Sequence, residues 1–213
     1  APWVSSTRQS HLTTALSDDA RAEYISPHMT APLEREVKLR FDTAESARRR
    51  VLAMGATPFK ARRLQSDALF DTEHNSLGVR GQVLRVRTEV GHSFVTFKTP
   101  VPHPTMKLRE EFETPVGDGR VLTSILEQAG FRVWFRYEKY REEFMFQDVV
   151  VAVDETPVGT FVEVEGSVEG ITHAALALGF SPADFVLDSY RTLFLRYCEE
   201  HRLEPADMLF GIG

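Results

Sequence analysis

The sequence predicts an α+β fold in which about eight antiparallel strands form a closed β-barrel with helices packed on its outer face. Short segments of alternating polarity follow one another across brief turns, which favours antiparallel pairing. In six of these segments the polar positions are almost all Glu, Arg or Lys. An ordinary solvated face would also contain Ser, Thr, Asn and Gln, so this pattern indicates an enclosed charged surface.

The order of elements follows from alternation, helical periodicity and capping signals. The predicted strands span residues 33–41, 56–71 (one long or broken strand), 82–88, 94–98, 106–114, 132–144, 147–154 and 160–166. The predicted helices span residues 43–54, 119–129, 171–178 and 188–201. Asp42 or Thr43 can cap the first helix, and a glycine follows each of the first three helices, as is common at helix C-termini. Residues 78–81 predict a turn.

Composition limits the class of protein and its surroundings. Residues 1–31 predict an irregular N-terminal extension with a possible short helix at 12–24, residues 32–205 the folded domain, and residues 206–213 a C-terminal tail. The net charge of −6 argues against non-specific nucleic-acid binding. No apolar run approaches the roughly 18 residues of a membrane helix. Cys198 is the only cysteine, which fits a reducing cytoplasm. A monomer and a homodimer both remain open.

The charged residues share strand faces, because residues two apart point to the same side of a strand. The first strand places Glu34, Glu36 and Lys38 together. Later strands repeat this habit with Arg85, Arg87, Lys98, Lys107, Arg109, Glu111, Glu113, Lys139, Arg141, Glu163 and Glu165, and Asp154 joins the acidic set. A solvated face is the simpler interpretation of any single strand. Repetition over six strands favours a barrel with these side chains in its lumen.

The residue types then indicate the ligand. Charges enclosed in a lumen are costly unless they are paired or bound. Arginine forks match phosphate oxygens and lysine adds a point charge, so basic groups on several strands suit a chain of phosphates. Carboxylates are the ligands that Mg²⁺ and Mn²⁺ prefer. Together they predict a site for phosphoryl or nucleotidyl transfer on a small molecule.

At these residues the sequence resembles the CYTH family, also called triphosphate tunnel metalloenzymes. The family's E-x-E-x-K motif stands here as Glu34-Arg35-Glu36-Val37-Lys38. Its later elements follow in order as Leu84–Arg87, Lys98, Arg109-x-Glu111-x-Glu113, Lys139-x-Arg141, Asp154, Gly159–Glu165 and Asp188-Ser189-Tyr190. The likeness covers about residues 32–200.

The resemblance implies a tunnel that binds a triphosphate and Mg²⁺ or Mn²⁺, with Glu34, Glu36 and Lys38 as catalytic residues. It implies that the phosphates are held by Lys38, Arg85, Arg87, Lys98, Arg109, Lys139 and Arg141. It implies that the metal is held by Glu34, Glu36, Glu111, Glu113, Asp154, Glu163 and Glu165.

Three functions follow as hypotheses. The first is a metal-dependent hydrolase of inorganic triphosphate, thiamine triphosphate or a nucleoside triphosphate. The second is a class IV adenylate cyclase, since the short single-domain form resembles the cyclase and thiamine-triphosphatase branch. The third is a non-catalytic module that binds polyphosphate or nucleotide. The shared residues read only the triphosphate, so the attached group must be read elsewhere, for example by residues 65–70 or the loops near His74 and His103.

Several other residues are interpreted as structural. The histidines lack metal-site spacing and are expected on the surface. Cys198, Trp134 and Phe135 are expected to pack, whereas Tyr137 shares the lumen face and could touch substrate. Tyr190 is expected to anchor the last helix instead of contacting the tunnel.

Overall fold

The structure is a computed structural model and describes residues 32–211, so the possible helix at 12–24 lies outside the described residues. Its strands are β1 (Leu33–Phe41), β2 (Thr57–Thr72), β3 (Val83–Glu89), β4 (His92–Val101), β5 (Lys107–Val116), β6 (Phe131–Phe146), β7 (Val149–Thr156) and β8 (Gly159–Glu165). Its α-helices are α1 (Ala44–Ala53), α2 (Ser76–Val79), α3 (Gly119–Gln128), α4 (Val168–Ala177) and α5 (Tyr190–His201), and a 3₁₀ turn spans Pro182–Asp184.

The strands close into a barrel in the order β1-β5-β4-β3-β2-β6-β7-β8, and every neighbouring pair is antiparallel. Closure occurs at β1, where Glu36 pairs with Lys107 of β5 on one side and with Glu165 of β8 on the other. The predicted fold class is therefore confirmed.

Two long strands carry much of the barrel wall. β2 and β6 each contain 16 residues, compared with eight in β7. β2 is thus one long strand, and its inward face adds side chains to the lumen. Its pairing with β6 steps from Leu69↔Phe135 to Phe70↔Val133. Trp134 is therefore an extra residue in β6, which is a β-bulge.

The larger of two apolar clusters lies outside the barrel, between its wall and the helices, whereas the smaller one packs Leu69 and Phe135 against Leu193 of α5. Outward-facing side chains of β1, β7 and β8, including Val37, Val151 and Val162, pack against Val51 of α1 and Ile171 of α4. Thr43, not Asp42, caps α1, since its hydroxyl accepts the amide of Ser46 at 3.1 Å in a reciprocal capping box. Because these outward-facing side chains bury apolar surface against the helices, the inward-facing positions of the same strands can carry charged residues.

One more helix is present among the described residues than the sequence predicted. The predicted turn at 78–81 overlaps the single-turn helix α2. The carboxylate of Asp71 accepts the amides of Leu77 at 2.9 Å and Gly78 at 2.8 Å. This short helix is thus stabilised by a side chain from the preceding strand, a contact that local periodicity does not reveal.

The C-terminal residues described here pack on the barrel, although the sequence suggested a tail at 206–213. Met208 is 1% exposed. Its amide donates to the Arg136 carbonyl, and its carbonyl accepts the Glu138 amide, both at 2.9 Å. β7 pairs with β6 only from Tyr140 onward, so this segment fills the remaining edge of β6.

Across residues 32–211, no helix combines the length and apolar character needed to cross a membrane.

Close approach of α3 to β4 generates a stability prediction. A Cβ atom at Gly119 would lie 2.5 Å from Ser93 Oγ and 2.9 Å from Ser93 Cβ, whereas one at Gly117 would meet nothing within 4 Å. We expect Gly119→Ala to lower the free energy of unfolding by about 1–3 kcal/mol, because the helix must shift. Gly117→Ala, the matched control, should change it by less than about 0.5 kcal/mol. Urea unfolding measures both, and equal stabilities would show that the close approach is unimportant.

Candidate active site in the barrel interior

The interior of the barrel is a cavity of about 850 Å³ with a charged wall. Most of the predicted site residues line it: Glu34, Glu36, Lys38, Arg85, Arg87, Lys98, Lys107, Arg109, Glu111, Glu113, Lys139, Arg141, Glu163 and Glu165. Asp154 does not line the cavity but is fully buried behind Lys139, Arg141 and Tyr190, which contact its carboxylate. The structure therefore brings the whole predicted set into one place.

Lys38 forms the centre of a buried ion-pair network on β1 and β8. Its ammonium lies 2.9 Å from Glu36 Oε1 and 3.1 Å from Glu163 Oε1. Burial alone would lower the pKa of Lys38, but the Glu163 and Glu36 carboxylates raise it above its usual value. Lys107 also donates to Glu36. Burial would raise the pKa of Glu36, yet Lys107 and Lys38 hold it well below its usual range.

Asp154 joins the long strand β6 to helix α5. One of its carboxylate oxygens accepts from Lys139 Nζ at 2.7 Å, Arg141 Nη1 at 2.9 Å and the Tyr190 hydroxyl at 2.7 Å. The other oxygen, Oδ1, is buried without a hydrogen-bond partner among the described residues. Burial and neighbouring Arg141 lower the pKa of Lys139.

The expectation for Tyr190 needs correction. Tyr190 is the first residue of α5, as an anchoring role requires, but its side chain also lines the cavity. Its ring lies 4.9 Å from Lys139 Nζ and 5.1 Å from Lys38 Nζ, measured to the ring centroid. Strand alternation gave no signal for this contact, because it depends on how α5 folds back onto the barrel.

Carboxylates accumulate where β1 meets β8 and β5. Lys98 lies 2.6 Å from Glu34 and 3.0 Å from Glu111. Burial and the Glu36 carboxylate nevertheless raise the pKa of Glu34. Glu165 has no ion-pair partner within 4 Å among the described residues. Burial, together with the Glu34 carboxylate, raises the pKa of Glu165 to about 7. Negative charge is therefore incompletely compensated here.

Arg85 and Arg87 on β3 are held by Asp67, which the sequence suggested only as part of the segment 65–70 that could read an attached group. Arg87 makes a two-point contact with the Asp67 carboxylate at 2.8 and 3.1 Å. Burial would raise the pKa of Asp67, but Arg87 and Arg85 lower it. Arg85 Nε lies 3.5 Å from Asp67 Oδ1 and makes no hydrogen bond. That buried N–H is thus left without an acceptor.

A second ion-pair cluster lies along the β2–β6 pair. Arg63 bridges Glu89 of β3 at 2.9 Å and Glu143 of β6 at 2.7 Å. Gln65 donates to Glu89, but its own carbonyl oxygen is buried without a partner. Burial would raise the pKa of Glu143, yet Arg141 and Arg63 lower it to about 2. Arg63 and Gln65 alternate in step with Asp67 on β2, and Glu143 alternates in step with Arg141 on β6. Strand alternation in the sequence could therefore have placed them on the inward face.

Arg109 differs from the other basic residues of the wall. It lines the cavity, and among residues 32–211 no carboxylate lies within 4 Å of its guanidinium nitrogens. Its Cα pairs with that of Glu34, while the Glu34 carboxylate contacts Lys98. Of the segments suggested to read an attached group, residues 65–70 contribute Gln65 and Leu69 to the cavity wall. Gly78 and Gly81, which follow His74, also line the cavity, whereas His74 and His103 do not.

The donor set fits a divalent cation, although the carboxylates are not preassembled around one. Within the described part of the chain, no three Asp, Glu, His or Cys side chains converge in a metal-holding arrangement. The reason is visible in Glu36 and Glu163, which both turn toward Lys38. The raised pKa values of Glu34 and Glu165 mark a region where a hard cation would be stabilised.

A closed antiparallel barrel with lysines, arginines and carboxylates facing its cavity defines a class of charged-tunnel proteins. The sequence model of the CYTH domain family matches residues 32–178. The chain belongs to the CYTH domain family.

Known relatives agree with this assignment. A Methanocaldococcus jannaschii protein named as a putative adenylate cyclase is 28% identical over 140 residues, covering 65% of this chain and 79% of that protein. The structure of a putative adenylate cyclase from Vibrio parahaemolyticus has a TM-score of 0.67 at 20% identity, covering 76% of this chain and 98% of that one. A Hippeastrum putative adenylyl cyclase, described as having a dominant triphosphatase activity, has a TM-score of 0.58 at 19% identity, covering 77% and 96%.

The pKa of Glu165 generates a prediction for the metal-free protein. Glutamate in the unfolded chain ionises near pH 4.3, whereas Glu165 in the folded protein ionises at about 7. The folded state therefore holds an extra proton between these values, so Glu165 costs stability as pH rises through this window. We expect Glu165→Gln to be more stable than the wild type by about 2 kcal/mol at pH 8 but not at pH 4.

Urea unfolding in EDTA at both pH values measures this difference. Glu110→Gln is the matched control, because Glu110 lies on the same barrel end but faces outward and is exposed. It should leave the pH dependence unaltered. A Glu165→Gln advantage that is equal at pH 4 and pH 8 would contradict the assignment of a raised pKa.

Proposed function

We propose that this protein is a divalent-metal-dependent enzyme that hydrolyses a triphosphate-containing small molecule in its tunnel. One observation carries the proposal: at neighbouring positions, the cavity wall contains both basic and acidic side chains whose charges are not fully balanced by an ion-pair partner. Arg109 lacks a carboxylate within 4 Å among the described residues, and the nearby Glu34 and Glu165 have raised pKa values. A ligand that compensates the arginine and the glutamates must carry negative and positive charge, as a metal–polyphosphate complex does.

The cations suit an extended chain of phosphates. Arg85 and Arg87 come from β3, Lys98 from β4, Arg109 from β5, and Lys139 and Arg141 from β6. Because these strands surround the cavity, their side chains can contact successive phosphate groups from different sides. Arginine contributes directed pairs of donors and lysine a mobile point charge. Lys38 on β1 would hold a phosphate. It lies on the same strand face as Glu34 and Glu36, which we assign to metal binding and catalysis.

The metal would be held by tunnel carboxylates, and Asp154 would support Lys139 and Arg141 through the hydrogen bonds that it accepts from them. These carboxylates are Glu34, Glu36, Glu111, Glu113, Glu163 and Glu165. Magnesium or manganese bound there would supply charge neutralisation for the phosphates and a lower pKa for the attacking water. The residues of the chain orient the phosphates, and the enclosed cavity limits the access of bulk water.

A second candidate, adenylate cyclase, is favoured by the name of the Methanocaldococcus jannaschii relative. In that reaction a ribose hydroxyl attacks and pyrophosphate leaves. Hydrolysis is favoured by the activity described for the Hippeastrum protein, which shares this fold. The same triphosphate-binding wall serves both reactions, so their products must distinguish them.

A product assay tests the proposed reaction. The purified full chain is incubated with tripolyphosphate, thiamine triphosphate and ATP, each with Mg²⁺ or Mn²⁺. We expect phosphate release that EDTA abolishes, because the reaction needs a cation held by the tunnel carboxylates. Cyclic AMP and pyrophosphate formed from ATP would instead select the cyclase. Absence of turnover with every substrate and both metals would reject an enzyme of this type.

Glu36→Gln tests the acidic wall at nearly constant side-chain volume. We expect the metal-dependent rate to fall by at least about 100-fold, because one carboxylate ligand is lost. Mg²⁺ should raise the melting temperature of the wild type but have a smaller effect on the variant. Glu110→Gln on the outer surface should match the wild type in both measurements. Full activity of Glu36→Gln would overturn the assignment of Glu36 to metal binding and catalysis, and metal-independent triphosphate binding without turnover would point to a binding module.

A further inference from the structure

The two ends of the tunnel differ in chemistry, and the β2–β6 pair shows the change. Its inward-facing pairs run from Leu69 with Phe135, through Asp67 with Tyr137 and Gln65 with Lys139, to Arg63 with Arg141. One end is therefore apolar and aromatic, whereas the other is ionic. A uniform polyphosphate would not require this difference, but a triphosphate with an organic group would.

The β-bulge in β6 aims two consecutive side chains at the apolar end. In a regular strand, neighbouring residues point to opposite faces, yet Trp134 and Phe135 both line the cavity. The extra residue at Trp134 breaks the alternation, which is how bulges redirect side chains. Phe135 is 1% exposed, whereas Trp134 is 41% exposed. The indole is thus an accessible aromatic surface at the tunnel mouth.

A series of aromatic rings connects this mouth with the basic residues deeper in the tunnel. Ring centroids are separated by 5.9 Å between Trp134 and Phe135, 5.8 Å between Phe135 and Tyr137, and 6.3 Å between Tyr137 and Tyr190. The Tyr190 ring in turn contacts Lys38 and Lys139. A molecule with phosphates at these lysines would extend its organic group along the rings toward Trp134.

Arg191 restricts the kind of ring that fits. Its guanidinium carbon lies 4.5 Å from the Phe135 ring centroid and 5.7 Å from that of Trp134. A neutral heteroaromatic ring can stack on both indole and guanidinium surfaces. A cationic ring would be repelled by the guanidinium, so the mouth favours a nucleobase over the thiazolium of thiamine.

We propose that Trp134, with Arg191, is a stacking site for the neutral base of a nucleoside triphosphate. The inference names the substrate class of the proposed enzyme and rests on that function for the position of the phosphates. Its first test does not need turnover, so the two ideas can fail separately.

Fluorescence provides that first test. The chain contains two tryptophans, so Trp3→Phe leaves Trp134 as the only indole. We expect the β,γ-methylene analogue of ATP with Mg²⁺ to quench this emission in a saturable manner, and tripolyphosphate to quench it much less. Equal quenching by both ligands, or quenching by neither, would overturn the stacking site even if the protein is a triphosphatase.

Kinetics provide the second test. For Trp134→Ala, we expect kcat/KM for ATP to fall about tenfold relative to that for tripolyphosphate, because the variant loses the stacking contact with the base. Trp134→Phe should restore most of the ratio. Phe112→Ala is the matched control, because Phe112 is 43% exposed but lies outside the cavity lining. An unchanged ratio in Trp134→Ala, or a wild-type preference for thiamine triphosphate over ATP, would contradict the proposal.

Discussion

Charge compensation inside a closed barrel is the constraint on which this structure depends. Glu36, Lys38, Lys139, Asp154 and Glu163 are all less than 9% exposed, and such groups remain ionised only beside opposite charges. Removing one member of a buried pair typically costs about 3–5 kcal/mol, because its partner is left uncompensated. Binding of the proposed ligand in this tunnel would therefore be an exchange of partners: a phosphate would replace a carboxylate on a lysine, and the released carboxylate would need a cation. The wall would then couple the two proposed binding events.

The fold permits this charged interior because its larger apolar cluster lies outside the barrel. Val37, Leu39, Val162 and Val164 face outward from β1 and β8 and are covered by α1 and α4, while the intervening positions carry the charges. One alternating strand thus supports stability with one face and chemistry with the other. The charged face can consequently accept unfavourable arrangements, such as the clustered Glu34 and Glu165, without removing the packing that maintains the barrel.

Strand alternation made much of the fold and wall predictable, because a period of two is recorded locally in the sequence. The limits of β1 were predicted as observed, and the inward faces of β3, β5 and β8 follow from the same rule. Arg63 and Asp67 share this period but were not assigned to the wall, because the sequence left open whether residues 56–71 form one long or a broken strand. The role of Tyr190 and the bulge at Trp134 were beyond such reasoning. Both depend on how distant segments meet: α5 folding onto the barrel, and β6 shifting its register against β2.

The segment around Met208 shows how the last residues protect the barrel. Its backbone occupies the part of β6 that β7 leaves uncovered. Without it, the amide of Glu138 and the carbonyl of Arg136 would form an open strand edge, and the apolar side chains beneath Met208 would meet water. Open edges recruit strands from other molecules. A chain shortened by only a few residues at this terminus would therefore be prone to self-association before any loss of its charged interior became apparent.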